Sequence, residues 1–443
     1  MVAGKQRVLI VGLGKTGLSC ARYLSTQGVE VAVIDSREQP PCLTELQREL
    51  PHVAVFTGGF DQQVFDSADR LVVSPGISLK LPVIAAAAAT GKEILGDVEL
   101  FAQQAKAPVI VITGSNGKST VTSLVGVMAR EAGKDVRVGG NIGKPVLELL
   151  EENEPELYVL ELSSFQLEYT HSLNAQVATV LNISEDHMDR YTDLQDYMTA
   201  KQRAFRGHGS MVLNRDDANV MSMYDASRKT GSFGLREPAE HEYGVCHVDG
   251  ESWLCLGNKQ LMKTGELQIP GLHNVANALA ALAIGEAAGF SMSAMLRALK
   301  GFQGLAHRTQ FVRELDGVRW YNDSKGTNVG ATQAALSGLS EKVVLIAGGE
   351  GKGADFSELK PVVIDRARAV VLIGKDARLI ARAIEDGVEI VFADGMQDAV
   401  IKARQQARPG DVVLLSPACA SFDMFNNYEQ RGDVFMELVR GQL

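Results

Sequence analysis

Residues 107–120 read APVIVITGSNGKST. A short apolar run rich in Val and Ile leads straight into Gly114-Ser115-Asn116-Gly117-Lys118-Ser119-Thr120. The run predicts a buried strand, and the residues after it predict a glycine turn opening a helix. Glycines in such a turn let backbone N–H groups close around phosphate oxygens, where the helix dipole favours anions. A lysine at the position of Lys118 neutralises terminal phosphates, and a hydroxyl at Ser119 reaches Mg²⁺. The general GxxxxGK[ST] form would need its first glycine within Val111-Ile112-Thr113, so this is a shortened variant. The flanking strand and helix separate it from a plain glycine turn, and the segment is read as an ATP site.

Outward from this loop the chain repeats one alternation. Strands are expected at 7–12, 30–35 and 71–74, with a helix over 16–27, and the apolar run 83–89 reads as an ordinary buried helix. After the strand at 107–113 and a helix ending near Ala132, strands follow at 157–162 and 177–182. A polar stretch over 228–265 reads as an antiparallel decoration, and 274–288 as a helix. Strands at 318–322, 342–347, 369–373 and 411–415 complete the pattern. Strands alternating with helices imply parallel sheets with right-handed crossovers. The expected fold is α/β in three domains: a Rossmann-like parallel sheet over 1–96, a P-loop ATPase-like unit over 97–304, and a second Rossmann-like unit over 305–443.

Composition agrees with a packed protein of that size. The chain has 443 residues, 45% hydrophobic and 22% charged, with a formal net charge of −10. An acidic balance argues against nucleic acid as the main partner, because phosphate contacts dominate such binding. Five scattered cysteines in no metal-ligand spacing read as a reducing compartment. With no leader and no apolar run long enough to span a bilayer, a cytoplasmic protein without membrane insertion is expected.

A second glycine fingerprint, Gly12-Leu13-Gly14-Lys15-Thr16-Gly17, follows the first strand, and Asp35 ends the next. That pairing suits a dinucleotide, as in a dehydrogenase, but the loop suits any diphosphate and could also be a tight turn. It is read as a diphosphate site with the nucleoside open. Elsewhere polar residues gather at strand ends, where open parallel sheets bind ligands. Glu161 lies inside Tyr158-Val159-Leu160-Glu161-Leu162, a costly place for an unpaired carboxylate. The run Ser184-Glu185-Asp186-His187-Met188-Asp189 follows another strand, so Ser119, Glu161 and His187 are candidate Mg²⁺ ligands. In the third domain, Asn322-Asp323-Ser324-Lys325-Gly326-Thr327, Gly348-Gly349-Glu350-Gly351-Lys352 and Ser416-Pro417-Ala418-Cys419-Ala420-Ser421 suit an anionic small molecule. Arg308 is placed to reach the ATP phosphates or to stand as a linker charge.

The ordered series GLGKTG, SPGI, TGSNGKST, GGNIG, LELSSFQL, EDHMDRY, GLHNVANA, NDSKGTN, GGEGK and SPACASFD resembles the Mur ligase family over essentially the whole chain. The resemblance implies an ATP-dependent acid–amino-acid ligase, with UDP-N-acetylmuramoyl-L-alanine, D-glutamate and ATP as substrates and Mg²⁺ as cofactor, acting as a monomer. It places Lys15, Thr16, Asp35, Ser36, Arg37, Gly76 and Asn141 around the UDP-sugar. ATP falls to Gly114, Ser115, Asn116, Gly117, Lys118, Ser119 and Thr120, with Asn274, Asn277, Arg308, Asp323 and Lys325. Metal would be held by Ser119, Glu161, His187 and Lys201, the last matching a lysine the family carries as a carbamate. D-glutamate would meet Thr327, Lys352, Ser421 and Tyr428. Lys118, His187, Lys201, Arg308 and Lys325 would carry the chemistry.

Two positions depart from a family relative, which has Asp at Glu350 and Phe at Tyr428. The Asp-Asn-Pro-Arg motif of diaminopimelate-adding members is absent, which favours glutamate. A folylpolyglutamate synthetase-like ligase shares the phosphate loop but not the N-terminal diphosphate unit. A dehydrogenase predicts one dinucleotide loop, and a non-catalytic nucleotide binder needs no acid at Glu161.

Overall fold

The computed structural model describes residues 6–150, 153–269, 271–385 and 387–441. Three sheets organise it. The first holds β1 (Arg7–Val11), β2 (Glu30–Asp35), β3 (Ala54–Thr57), β4 (Arg70–Val73) and β5 (Glu93–Leu95). They run parallel in the order β3-β2-β1-β4-β5. The order reverses between β1 and β4, which opens a crevice between the loops that follow them.

The second sheet contains β6 (Val109–Thr113), β7 (Val136–Gly140), β8 (Leu157–Glu161), β9 (Val177–Val180), β10 (Ser210–Asn214) and β11 (Thr230–Phe233). It continues into β12 (Tyr243–Val248), β13 (Glu251–Leu256) and β14 (Lys259–Lys263), in the order β14-β13-β12-β11-β10-β9-β6-β8-β7. The polar stretch expected as antiparallel decoration is therefore part of the sheet. β11 pairs parallel with β10, and only β12–β14 form an antiparallel meander. β6 is buried along its whole length, as its unbroken apolar run requires.

The third sheet holds β15 (Gln310–Leu315), β16 (Val318–Asn322), β17 (Val343–Gly348), β18 (Ala367–Ile373), β19 (Glu389–Phe392) and β20 (Val412–Leu415). Its order is β15-β16-β20-β17-β18-β19, with β15 the antiparallel edge. The ends of β16, β20 and β17, where the three polar motifs lie, are thus neighbours.

Strands β3, β5, β7, β10, β15 and β19 and the helix Met292–Gly301 add to the elements expected from the residue pattern. The run 83–89 forms the helix Pro82–Ala89, but only Ile84 and Ala87 are buried, so it is a surface helix. Apolar packing is continuous between the first two units: Val8 and Leu18 belong to one cluster with Phe101, Tyr158 and Tyr197. The third sheet instead has its own cluster on each face. Among the described residues no apolar cluster joins it to the rest, and helix Val329–Ser337 meets helix Leu272–Ala287 across the boundary.

Candidate active site

Strand β6 delivers its chain into Gly114 (φ +147°) and Gly117 (φ +83°), and Gly117 caps the helix Lys118–Glu131. A Cβ on Gly117 would overlap the Asn277 side-chain oxygen, so the turn requires glycine. The Lys118 ammonium curls back, donating to the carbonyls of Gly114 and Ser115 at 2.8 and 2.7 Å. Burial lowers its pKa from the ordinary lysine value. Ser115 turns its hydroxyl away to the 184 loop, donating to the Ser184 carbonyl at 3.0 Å and accepting that residue's N–H. Asn116, Gly117 and Thr120 share a cavity of about 370 Å³ with Asn274, Asn277, Arg308 and Asp323. Arg308 is no stray linker charge: its Nη2 donates to Ser119 Oγ at 2.8 Å.

Glu161 ends β8, 2% exposed. Its Oε1 accepts from Asn141 Nδ2 at 2.8 Å, while Oε2 has no hydrogen-bond partner. A buried carboxylate oxygen left without a partner is costly unless something else occupies it, as a cation would. His187 stands in the left-handed region (φ +59°) with its ring centroid 4.7 Å from that of Phe165. Burial lowers its pKa, against the pull of Asp186, and so favours the neutral imidazole a metal ligand needs. Lys201 is 1% exposed, its Nζ donating to the Gly114 carbonyl at 2.8 Å.

The partnerless oxygen of Glu161 is the feature that suits a divalent cation, one that would take its remaining ligands from neighbouring groups and a substrate's oxygens. As a free ammonium Lys201 would repel the ion; as a carbamate it would join the ligands. The 184–189 run does not form a cation cage of its own, because no three His, Cys, Asp or Glu side chains among the described residues are grouped to hold a metal.

A larger cleft of about 900 Å³ lies at the β1/β4 reversal, and Lys15, Thr16, Asp35, Ser36, Arg37, Gly76 and Asn141 all line it. Gly17 makes the turn possible, since a Cβ there would overlap the Gly12 carbonyl oxygen. Asp35 is more occupied than the fingerprint suggests. Its Oδ2 accepts the Leu13 N–H at 2.7 Å and Arg37 Nη2 at 2.6 Å, so it braces both loops of the cleft. Gln166 and His307 also face this space and were missed, being isolated polar residues in apolar or loop contexts.

The four residues expected around D-glutamate are split. Thr327 and Lys352 line a cavity of about 80 Å³ with Asp186 and His187. Tyr428 faces the large cleft instead, with Lys325 Nζ 3.7 Å from its ring centroid. Ser421 is buried, and its carbonyl accepts the N–H groups of Met424 and Phe425. Glu350 pairs with Lys375 at 3.0 Å. Arg431, also missed, is buried at 1% exposure and donates to Ser324 Oγ, Ser324 O and Cys419 O, tying two strand-end loops together. Burial lifts Asp323 to about 6, and burial with Arg308 nearby lowers Lys325 to about 8.

The sequence matches three family descriptions in order: a Mur ligase MurD-like N-terminal domain over residues 6–96, a Mur ligase middle domain over 112–285, and a Mur ligase glutamate ligase domain over 307–419. It is 55% identical over 434 residues to a UDP-N-acetylmuramoylalanine–D-glutamate ligase of Nitrosococcus oceani, covering 98% of this chain and 96% of that one. A protein of the same name from Pseudomonas fluorescens is 54% identical over 443 residues, covering 99% of each. Among solved structures, UDP-N-acetylmuramate-alanine ligase from Thermotoga maritima superposes with a TM-score of 0.62 at 19% identity, over 99% of this chain and 100% of that one. At that identity the likeness speaks to the fold.

Proposed function

This chain belongs to the Mur ligase family, and on that premise we propose that it joins D-glutamate to UDP-N-acetylmuramoyl-L-alanine at the expense of ATP, in peptidoglycan precursor synthesis. The observation that carries this reading is the meeting of two cavities at shared residues. The phosphate-loop cavity and the β1/β4 cleft are both lined by Arg308 and Lys325, so a triphosphate terminus and the far end of a UDP-linked acid meet at these residues. We assign 1–96 to the UDP-sugar, 97–304 to ATP and 305–443 to the amino acid.

In the mechanism we infer, the substrate's L-alanyl carboxylate attacks the γ-phosphorus, ADP leaves, and an acyl phosphate forms. The amine of D-glutamate then attacks the activated carbonyl and inorganic phosphate departs. Lys118 and Arg308 offset charge on the transferring phosphoryl group. Asn274 and Asn277 border the nucleotide, with Asn277 donating to Asn274 at 3.1 Å. Thr327 and Lys352 hold a carboxylate of the incoming amino acid, and the proton its amine releases leaves with the departing phosphate. Mg²⁺, held by Ser119, Glu161, His187 and carbamylated Lys201, would supply charge neutralisation at the phosphates. The third domain covers the phosphate loop and keeps water from the acyl phosphate.

No helix among the described residues is long and apolar enough to cross a membrane, and all five cysteines are free, consistent with cytoplasmic work.

The test is phosphate release from Mg-ATP with UDP-N-acetylmuramoyl-L-alanine, offering D-glutamate, L-glutamate, L-alanine and diaminopimelate in turn. Release that requires both the UDP-sugar and D-glutamate is expected. Turnover with another amino acid would move the pocket assignment, and none with any would end the specific reading.

A further inference from the structure

Asn328 closes the polar motif after β16; it lines neither the ATP cavity nor the UDP-sugar cleft but borders the small cavity of Thr327, Lys352, Asp186 and His187. It caps the helix Val329–Ser337, its Oδ1 accepting the Ala331 N–H at 2.8 Å. The same amide points its Nδ2 across the domain boundary, 3.3 Å from Asn116 Oδ1 and 3.3 Å from Asp186 Oδ2. One side chain of the third domain therefore touches both the phosphate loop and the acid next to His187. A second observation is independent of it. A Cβ on Gly330 would sit 3.2 Å from Ser184 Oγ and 3.4 Å from Asn116 Nδ2, so this helix start lies close against both loops.

We propose that Asn328 is a positioning residue that seats the amino-acid domain on the phosphate loop and so couples amide formation to phosphoryl transfer. Asn116 is suited to report the loop's state. Its backbone is locked to Asn182, donating N–H to Oδ1 at 2.7 Å and accepting from Nδ2 at 3.0 Å, which leaves its side-chain oxygen free for Asn328. Any shift of the phosphate loop moves that oxygen. Because, among the described residues, the third sheet shares no apolar cluster with the rest, polar contacts of this kind join the packing of helix Val329–Ser337 on helix Leu272–Ala287 in setting how tightly it sits. A poorly seated domain leaves the acyl phosphate open to water, and ATP is then consumed without amide.

The inference rests on the ligase reading, and Asn328→Ser separates the two. Serine caps helices well, so the helix start survives, but its hydroxyl is too short to reach both partners. Wild type should release about one phosphate per amide formed. Asn328→Ser should release several per amide and show a KM for D-glutamate raised roughly tenfold, the weight of two lost hydrogen bonds, with ATP affinity unchanged. Small-angle scattering in Mg²⁺ and a non-hydrolysable ATP analogue should give a larger radius of gyration for Asn328→Ser than for wild type. Scattering identical to wild type, or an unchanged ratio and KM, would overturn the proposal. Absence of D-glutamate turnover in wild type would remove the substrate assignment instead, while the scattering comparison would still decide the docking role.

Discussion

The ammonium of Lys201 donates to the carbonyl of Gly114 across 2.8 Å, tying the helix Leu194–Gln202 to the first residue of the phosphate loop. Its Nζ also lies 4.5 Å from the centroid of the Tyr197 ring. Burial, and then Lys118 nearby, push its pKa well below the ordinary lysine value. That makes the neutral amine accessible, the form that reacts with carbon dioxide to give a carbamate.

Lys201→Met should therefore separate activity from stability. The unfolded chain keeps this proton up to the ordinary lysine pKa while the native state gives it up earlier. The site thus lowers stability below its folded pKa, and stability rises with pH between the two values. Methionine removes the buried charge, so melting at neutral pH should stay level or rise while kcat falls about a hundredfold. Carbon-13 bicarbonate should give a carbamate NMR signal in wild type that the variant lacks. A variant that kept full activity would exclude any role for the amine.

Arg308 and Ser119 make a contact that spans the domain boundary. Arg308→Lys keeps the charge but loses the planar donor fork, and kcat should drop roughly a hundredfold with ATP affinity little changed. Stopped-flow phosphate release together with calorimetric titration of nucleotide decides this. Equal losses in both quantities would mean that Arg308 binds ATP rather than favouring transfer.

Lys325 should set an alkaline limit on turnover. With a pKa of about 8 in the free protein, it loses its charge as pH rises through that value, and kcat/KM for ATP should fall above it. A guanidinium in its place would stay charged, so Lys325→Arg should flatten that limb even if the maximum rate is lower. A limb that stays in place in the variant would assign it to another group.

Arg190 clamps the cleft from behind. It donates to the carbonyls of Pro75 and Ile77 at 2.8 and 3.2 Å, pairs with Glu168 at 2.6 Å, and its guanidinium carbon lies 4.1 Å from the Phe165 ring centroid. The substitution Arg190→Gln would leave Glu168 enclosed without its partner, at a cost of about 1–3 kcal/mol. The expected result is a lower melting temperature and a raised KM for the UDP-sugar with an unaltered KM for ATP. If both KM values rise together, the clamp serves the fold as a whole.

Local chemistry explains what could be read directly from the residues. The phosphate loop is a short-range object: an apolar strand, glycines at positive φ and a lysine at the helix start are contiguous, so no packing information is needed to see it. The same holds for the GLGKTG turn and for the polar motifs that end β16, β17 and β20. Strands such as β3 and β19 escaped because they are short, with several side chains exposed, and leave little periodic signal.

What tertiary structure alone decided concerns side chains whose neighbours are far away in the chain. Lys201 has the sequence of an exposed helical lysine, and only the packing of its helix against Gly114, 87 residues away, buries it. The family resemblance groups Tyr428 with Thr327 and Lys352, yet the start of its helix turns the ring under Lys325 and into the other cleft. Arg431 and Asn328 gain meaning only through loops brought together by strand order. The sequence by itself determined which backbone segments can hold phosphate, because that depends on local dihedral freedom and hydrogen-bond donors. Which charges are buried, and which side chains meet across the domains, was settled by desolvation and packing between distant segments.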